Sequence, residues 1–331
     1  MKKIVSIVLA VSMLAVCVTG CKTTTRKQLK PVVLNEVAHS IFYAPQYAAI
    51  ELGYFEDEGL DLTLVNGAGA DKVMTALISG DADIGFMGSE ASIYVYQQGS
   101  DDYAVNFAQL TQRAGNFLVG REAQDNFTWA DLKGKKVLGG RAGGMPEMVF
   151  EYILKKNGID PAVDLTIDQS INFGLTAAAF TSNDADYTVE FEPFATGLEK
   201  EGNGHVIASL GVDSGYVPYT AYSVKKSYLE KNPETIQKFT NAIQKGLEYV
   251  NTHSAEEIAK VIQPQFKETD EDTIATIVGR YKDQDTWKGD TVFEKESFEL
   301  LENILEEAGE LNERVPYDKL VTTEFSQEAA K

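Results

Sequence analysis

Beyond residue 30 the chain alternates short apolar runs with amphipathic stretches, the signature of an α/β protein. Residues 31–37 (PVVLNEV) read as a first strand. A helix is expected over 44–52, with Pro45 early and Gly53 past its end, in keeping with helix punctuation. Residues 60–65 (LDLTLV) form a second strand. The next helix, 70–78, puts Val73, Met74, Leu77 and Ile78 on one face and is closed by Gly80. Residues 84–88 are a third strand, and Ser89 and Glu90 open the helix after it.

A second cycle follows, with strands over 135–139, 165–167 and 187–191 and a helix over 146–156 stopped by Gly158. After about Tyr222 the pattern turns helical. Asn232-Pro233-Glu234 starts a helix with Ile236, Phe239, Ile243, Leu247 and Val250 on one stripe. Ser254-Ala255-Glu256-Glu257 has the form of a capping box, and Phe298, Leu301, Leu305 and Ala308 mark one more helix. A helical tail has no sheet of its own to cover, so it is expected to pack back on the first lobe. The expected organisation is therefore residues 31–118 in lobe 1, 119–218 in lobe 2, and 219–331 returning to lobe 1. The two crossings, near Phe117-Leu118-Val119-Gly120 and Tyr219-Thr220-Ala221-Tyr222, would make a two-segment hinge.

The amino terminus changes the picture of where such a protein works. Lys2 and Lys3 precede an apolar run over 4–18, shorter than the roughly 20 residues a spanning helix needs and suited to a removable signal over 1–20. Val18-Thr19-Gly20-Cys21 resembles a bacterial lipobox, in which Cys21 would be acylated and anchor the chain to the membrane. Residues 21–30 are polar and basic, a flexible tether. With Cys17 removed and Cys21 carrying lipid, neither cysteine of the chain serves a disulfide, a thiol nucleophile or a metal site. A formal net charge of −20 argues against nucleic acid as a partner. It says nothing about the charge inside a pocket.

Residues 43–62 (YAPQYAAIELGYFEDEGLDL) closely resemble a phrase of the ABC-importer binding proteins for thiamine-precursor pyrimidines, alkanesulfonates, taurine and nitrate. In that family "A-P-x-Y-x-A-x-x-x-G-Y-F-x-x-E-G-L-D" follows the first strand. Residues 77–86 (LISGDADIGF), 131–137 (DLKGKKV) and 191–194 (FEPF) fit the same family in order and spacing. The resemblance implies a type II periplasmic-binding-protein fold: two α/β lobes, a hinge and an interlobe ligand cleft. It also implies a small-molecule ligand, a permease and an ATPase as partners, and a monomer. One departure concerns the ligand. Sulfonate and taurine binders commonly carry Trp-Asp-Pro where this chain has Phe191-Glu192-Pro193.

Open α/β sheets bind ligands beyond the carboxyl ends of their strands, which selects loops at 39–40, 88–90, 111–112, 143–145 and 190–193. Candidate ligand contacts are His39, Tyr43, Ser89, Glu90, Gln112, Gly143, Gly144, Met145, Asn172, Phe173, Glu190 and Glu192. The Gly143-Gly144-Met145 turn opens a helix and could bring backbone N–H groups to a ligand, or be no more than a tight turn. Alternation puts Glu190 and Glu192 on one strand face. They serve either as acceptors for an amino-heterocycle or cation or as a solvated or salt-bridged pair. Glu90 either meets the ligand or complements a helix dipole. Tyr43 is a candidate wall for a flat ring, and Tyr47, one turn on, a core residue. His39 either donates to a ligand or caps a helix. Trp129 and Trp287 read as structural.

Catalytic constellations are missing from the sequence. His39, His205 and His253 have no metal-ligand spacing, no Ser-His-Asp arrangement shows itself, and no cofactor motif is present. The same fold includes an enzyme that makes the thiamine pyrimidine with a cysteine-rich iron-binding stretch, which this chain lacks. The expectation is a non-enzymatic binding protein for a neutral or weakly cationic heteroaromatic such as an aminopyrimidine; the alternatives are a taurine, alkanesulfonate or nitrate-type anion binder of the same family, or a non-transport sensor lipoprotein. Arg113 and Arg141 are the nearby cations; an inward Arg141 would favour a sulfonate or carboxylate ligand.

Overall fold

The computed structural model describes residues 29–331 apart from 141, 172 and 173. The apolar leader, Cys21 and nearly all of the tether lie outside the described residues, as do Arg141, Asn172 and Phe173. The strands are β1 (Lys30–Glu36), β2 (Leu60–Asn66), β3 (Ile84–Gly88), β4 (Ala104–Thr111), β5 (Asn116–Gly120), β6 (Lys136–Leu138), β7 (Thr166–Asp168), β8 (Tyr187–Phe191), β9 (His205–Ser209) and β10 (Thr220–Lys225). They form two five-stranded sheets, ordered β2-β1-β3-β10-β4 and β7-β6-β8-β5-β9.

The two orders are the same pattern. In each sheet three parallel strands are followed by one antiparallel strand, β10 or β5, and a fifth beyond it. Those two antiparallel strands arrive directly after a change of sheet. The chain leaves the first sheet after Thr111 and enters the second at Asn116; it leaves the second after Ser209 and re-enters the first at Thr220. So the two stretches expected as bare crossings, around Phe117 and around Tyr219, supply a strand inside each sheet. The connecting straps are residues 112–115 and 210–219. Val217 N donates to Gln112 O (2.9 Å), and Gln112 N to Thr286 O (2.9 Å), so both straps are tied together and to the tail.

Local chemistry explains the elements that flank the cleft. Helix Ala44–Glu51 begins with a proline in its first turn, where the missing N–H costs nothing. Helix Pro233–Thr252 buries Ile236, Phe239, Ile243, Leu247 and Val250 and packs against it. The crossing is close because Gly246 lies where any Cβ would strike the Pro45 carbonyl. At Ser254 both halves of the capping box form: Glu257 N donates to Ser254 Oγ (3.2 Å), and Ser254 N to Glu257 Oε2 (2.9 Å).

The helical tail does more than cover the first sheet. Helix Lys295–Ala308 packs on helix Met145–Lys156 beside the second sheet. From helix Glu271–Asp283, Arg280 reaches Glu192 at the end of β8 (2.8 Å). The tail therefore straddles the junction, which the amphipathic pattern of each helix alone could not reveal. Trp287 is buried and donates from Nε1 to Phe42 O (2.8 Å), and Trp129 is likewise buried.

Candidate functional site

Between the two sheets lies a cavity of about 930 Å³, counting its opening to solvent. The first sheet's side contributes Tyr43, Glu90, Tyr219 and Thr220; the second contributes Asn116, Gly144, Met145, Thr176, Glu190 and Phe191. Val37, Gly88, Gly140 and Phe191, at or just past the ends of β1, β3, β6 and β8, all line it, as the strand-end rule requires. Among the described residues, no lysine, arginine or histidine lines it. A side recess bounded by His39, Ser40, Asn66 and Glu192 shares Tyr43, Gly174, Phe191 and Phe194 with the main cavity.

Each wall presents one buried carboxylate. Glu90 is the first residue of helix Glu90–Gln97 and is 3% exposed. Gly88 makes room for it, since a Cβ there would collide with the Glu90 carboxylate. Glu190 sits on β8, 2% exposed, and accepts from Thr188 Oγ1 (2.6 Å) and Thr176 Oγ1 (2.9 Å). Burial pushes its carboxyl up to about 7 against the two threonine hydroxyls, which pull it down. A carboxyl taken out of water resists ionising. Burial, then the Glu36 and Glu90 charges, also holds the Tyr43 phenol well above its ordinary value.

Aromatic rings fill the seam. Tyr43 packs edge-on against Phe86 (4.5 Å between centroids), and Phe42 lies against Phe191 of the opposite side (5.8 Å). Tyr219 OH donates to Asn116 Oδ1 (2.6 Å), which fixes the amide and leaves its NH₂ as the donating end. The cavity thus offers two acids, an amide donor and ring faces.

Tyr43, Glu90, Gly144, Met145 and Glu190 lie together on the cavity wall. Gly143 is one step away: its N–H donates to Glu147 Oε2 (3.1 Å), and its carbonyl accepts from Tyr94 OH (3.2 Å) across the seam. Ser89 stands behind Glu90, its hydroxyl donating to Pro218 O. Four of the candidates stand off the main cavity wall in this geometry. His39 stands off the main cavity, its ring held by Glu36 Oε1 (2.8 Å) and Gln265 O (2.9 Å); the Glu36 contact, more than anything else, raises its pKa. Gln112 is part of the strap, donating to Asp285 O (3.1 Å). Ser89, as just described, points to the strap. Glu192 is fully buried but turned away, meeting Arg280 (2.8 Å), Thr196 N (2.9 Å) and Thr196 Oγ1 (2.9 Å). The strand ends at Phe191, so the alternation that paired Glu192 with Glu190 stops one residue too early. Asn172 and Phe173 lie outside the described residues.

Asn116, Tyr219, Thr176 and Phe194 line the cavity without having been singled out in the sequence. Asn116 and Tyr219 flank the two crossings, and that position was the available signal. The other two carry none.

Two sheets of this shared order around a common cleft make a type II periplasmic-binding-protein fold. The alkanesulfonate-binding protein SsuA of Xanthomonas axonopodis pv. citri, solved with MOPS bound, superposes with a TM-score of 0.71 at 15% identity, covering 89% of this chain and 99% of that one. The chain belongs to the NMT1/THI5-like family, whose model matches residues 41–257. YtlA of Bacillus subtilis, whose name assigns it a binding role, is 47% identical over 308 residues, 93% of this chain and 92% of its own length. A yeast relative, the 4-amino-5-hydroxymethyl-2-methylpyrimidine phosphate synthase THI11 of Saccharomyces cerevisiae, is 26% identical over 63% of each chain.

Proposed function

We propose that this protein is the ligand-binding component of an ABC-type importer, held outside the cytoplasm by a lipid on Cys21, and that it captures a small amino-substituted heteroaromatic such as an aminopyrimidine. The observation that carries the ligand reading is the cavity lining: two carboxylates, an amide and aromatic rings, with no cationic side chain among the described residues. Carboxylates accept from amino groups and repel sulfonate or nitrate. Similarity to a binding protein across nearly the whole chain outweighs a fainter, partial similarity to a synthase, so the role is capture and delivery rather than turnover. Among the described residues no helix is long and apolar enough to cross a membrane.

In this reading the ligand enters between the lobes. Tyr43 and Met145 flank its ring, Glu90 and Glu190 take its donors, and Gly144 offers backbone at the start of helix Met145–Lys156. Closure presents a surface that a permease recognises and its ATPase partner exploits, the binding protein acting as a monomer. A micromolar dissociation constant corresponds to about 8 kcal/mol, within reach of a few hydrogen bonds and ring burial. The test is a thermal-shift screen against aminopyrimidines, taurine, alkanesulfonates and nitrate, because a ligand that binds only the folded state raises the melting temperature. A rise with an aminopyrimidine, lost in Glu190→Ala, is expected. A rise with taurine alone would overturn the ligand and spare the fold.

A further inference from the structure

Five hydroxyl or amide side chains line the cavity: Tyr43, Asn116, Thr176, Tyr219 and Thr220. Three of them are committed within the chain. Thr176 Oγ1 donates to Glu190 Oε2 (2.9 Å), Thr220 Oγ1 pairs with Thr111 Oγ1 (2.5 Å), and Tyr219 OH donates to Asn116 Oδ1 (2.6 Å). Among the described residues, nothing hydrogen-bonds the Tyr43 hydroxyl or the Asn116 NH₂. A hydroxyl can donate or accept, so Tyr43 dictates nothing about a guest. An amide NH₂ can only donate. Asn116 is 1% exposed, so whatever meets that donor has to come through the cavity.

Which end of the amide faces the cavity is set from the hinge. Asn116 opens β5 directly after strap 112–115, and Tyr219 closes strap 210–219, so their bond ties the two crossings together. Tyr219 is 2% exposed, its ring packed against Phe42 (5.7 Å between centroids) and Phe191 (6.2 Å). Burial, then the neighbouring Tyr43 and Glu90 groups, holds the phenol well above its ordinary value, so its proton stays available to Asn116 at neutral pH. While the cavity is open, water can serve the free NH₂. A ligand that fills the cavity has to replace that water with an acceptor of its own or strand a buried donor.

We infer that Asn116 is a specificity-determining residue that demands a lone-pair acceptor on the ligand, and that Tyr219 is the positioning residue that aims it. This rests on the small-molecule-binding reading above and deepens it by assigning one ligand atom. In a heteroaromatic that atom is a ring nitrogen or a ring carbonyl oxygen. A ring that carries an amino group but no such atom fits badly.

Two rings of one size, both uncharged at pH 8, isolate the acceptor: 2-aminopyrimidine, with an amino group and ring nitrogens, and aniline, with the amino group alone. Calorimetric titration into the full chain in detergent is expected to show 2-aminopyrimidine binding about tenfold or more tightly than aniline. In Asn116→Leu that preference should shrink to about twofold or less, with aniline itself little changed. In Tyr219→Phe the amide loses its anchor, and the preference should fall by about threefold while aniline again holds. A merely structural tyrosine would weaken both rings alike, and that result would remove the positioning role. Aniline matching 2-aminopyrimidine on the unaltered chain would overturn the inference whether or not either variant folds, and would leave the importer reading standing. A preference undiminished in Asn116→Leu would overturn it too. If taurine alone binds, the aminopyrimidine reading fails; the Asn116 assignment then survives only if Asn116→Leu weakens taurine by about tenfold. Silence from every compound would overturn both.

Discussion

The lobes meet at two places built on opposite principles. Inside the cavity, Glu90 and Glu190 face each other's walls with aromatic rings and an amide between them and no arginine or lysine among the described lining residues. At the rim, two residues beyond Glu190, Glu192 is equally buried but is gripped by Arg280, which also reaches Glu199, and its carbonyl accepts from Ser40 Oγ (2.9 Å). The rim acid is satisfied by the protein. Among the described residues the interior acid meets two neutral hydroxyls, and burial outweighs their pull to raise Glu190. The difference separates two uses of a buried acid: the one the chain pairs with arginine ties the scaffold together, and the one held by neutral hydroxyls lines the cavity.

The largest expected effect breaks the rim. Arg280→Ala strands a fully buried carboxylate and should lower stability by about 3 kcal/mol in a denaturant titration. Adding Glu192→Gln should restore part of that, because no buried charge is then orphaned. A loss no smaller in the double variant would mean the rim pair is not the reason.

The next effect comes from acids that burial raises. Glu190 is raised to about 7, and Glu147, buried and hydrogen-bonded with Glu151, to about 8. A carboxyl raised on folding contributes stability that is fully present below its ordinary value near 4.5 and is lost as pH climbs through the raised one. The protein should therefore melt lower at pH 8 than at pH 5. Glu190→Gln and Glu147→Gln should each recover about 2 kcal/mol at pH 8. A wild-type pH slope unchanged in both variants would contradict the assignment. The smallest effect belongs to a neutral contact across the seam. Tyr94→Phe removes the hydroxyl bond to Gly143 O (3.2 Å) and should cost about 1 kcal/mol or less, visible as a slight shift of the solution scattering curve toward a more open form. A shift as large as that of Arg280→Ala would erase the distinction between charged rim and neutral seam.

Most of the fold was legible because its signals are local. Proline and glycine punctuation, the capping box at Ser254 and the stripe from Ile236 to Val250 each act within a few residues. Two strands were hidden in plain sight. Phe117 to Gly120 and Thr220 to Tyr222 are short runs whose pairing partners lie far away in sequence, so they looked like connections. Of the candidate site, Tyr43, Glu90, Gly144, Met145 and Glu190 were readable from strand ends followed by helix starts. The Glu36–His39 contact sits three residues apart and was within reach of the same reasoning, whereas Asn116 and Tyr219, 103 positions apart, were not.

Sequence by itself determined the α/β class, the two cycles, the family phrase around Tyr43 and the chemistry available at each strand end, since periodicity and turn residues are properties of neighbouring positions. Only the tertiary structure decided that Glu190 and not Glu192 lines the main cavity, that the tail clasps both lobes, and that the cavity is lined by acids without a cation among its described residues. The physical reason is that burial and charge pairing are set by atoms brought close in space. Arg280 lies 88 residues from Glu192, and no local pattern encodes their meeting.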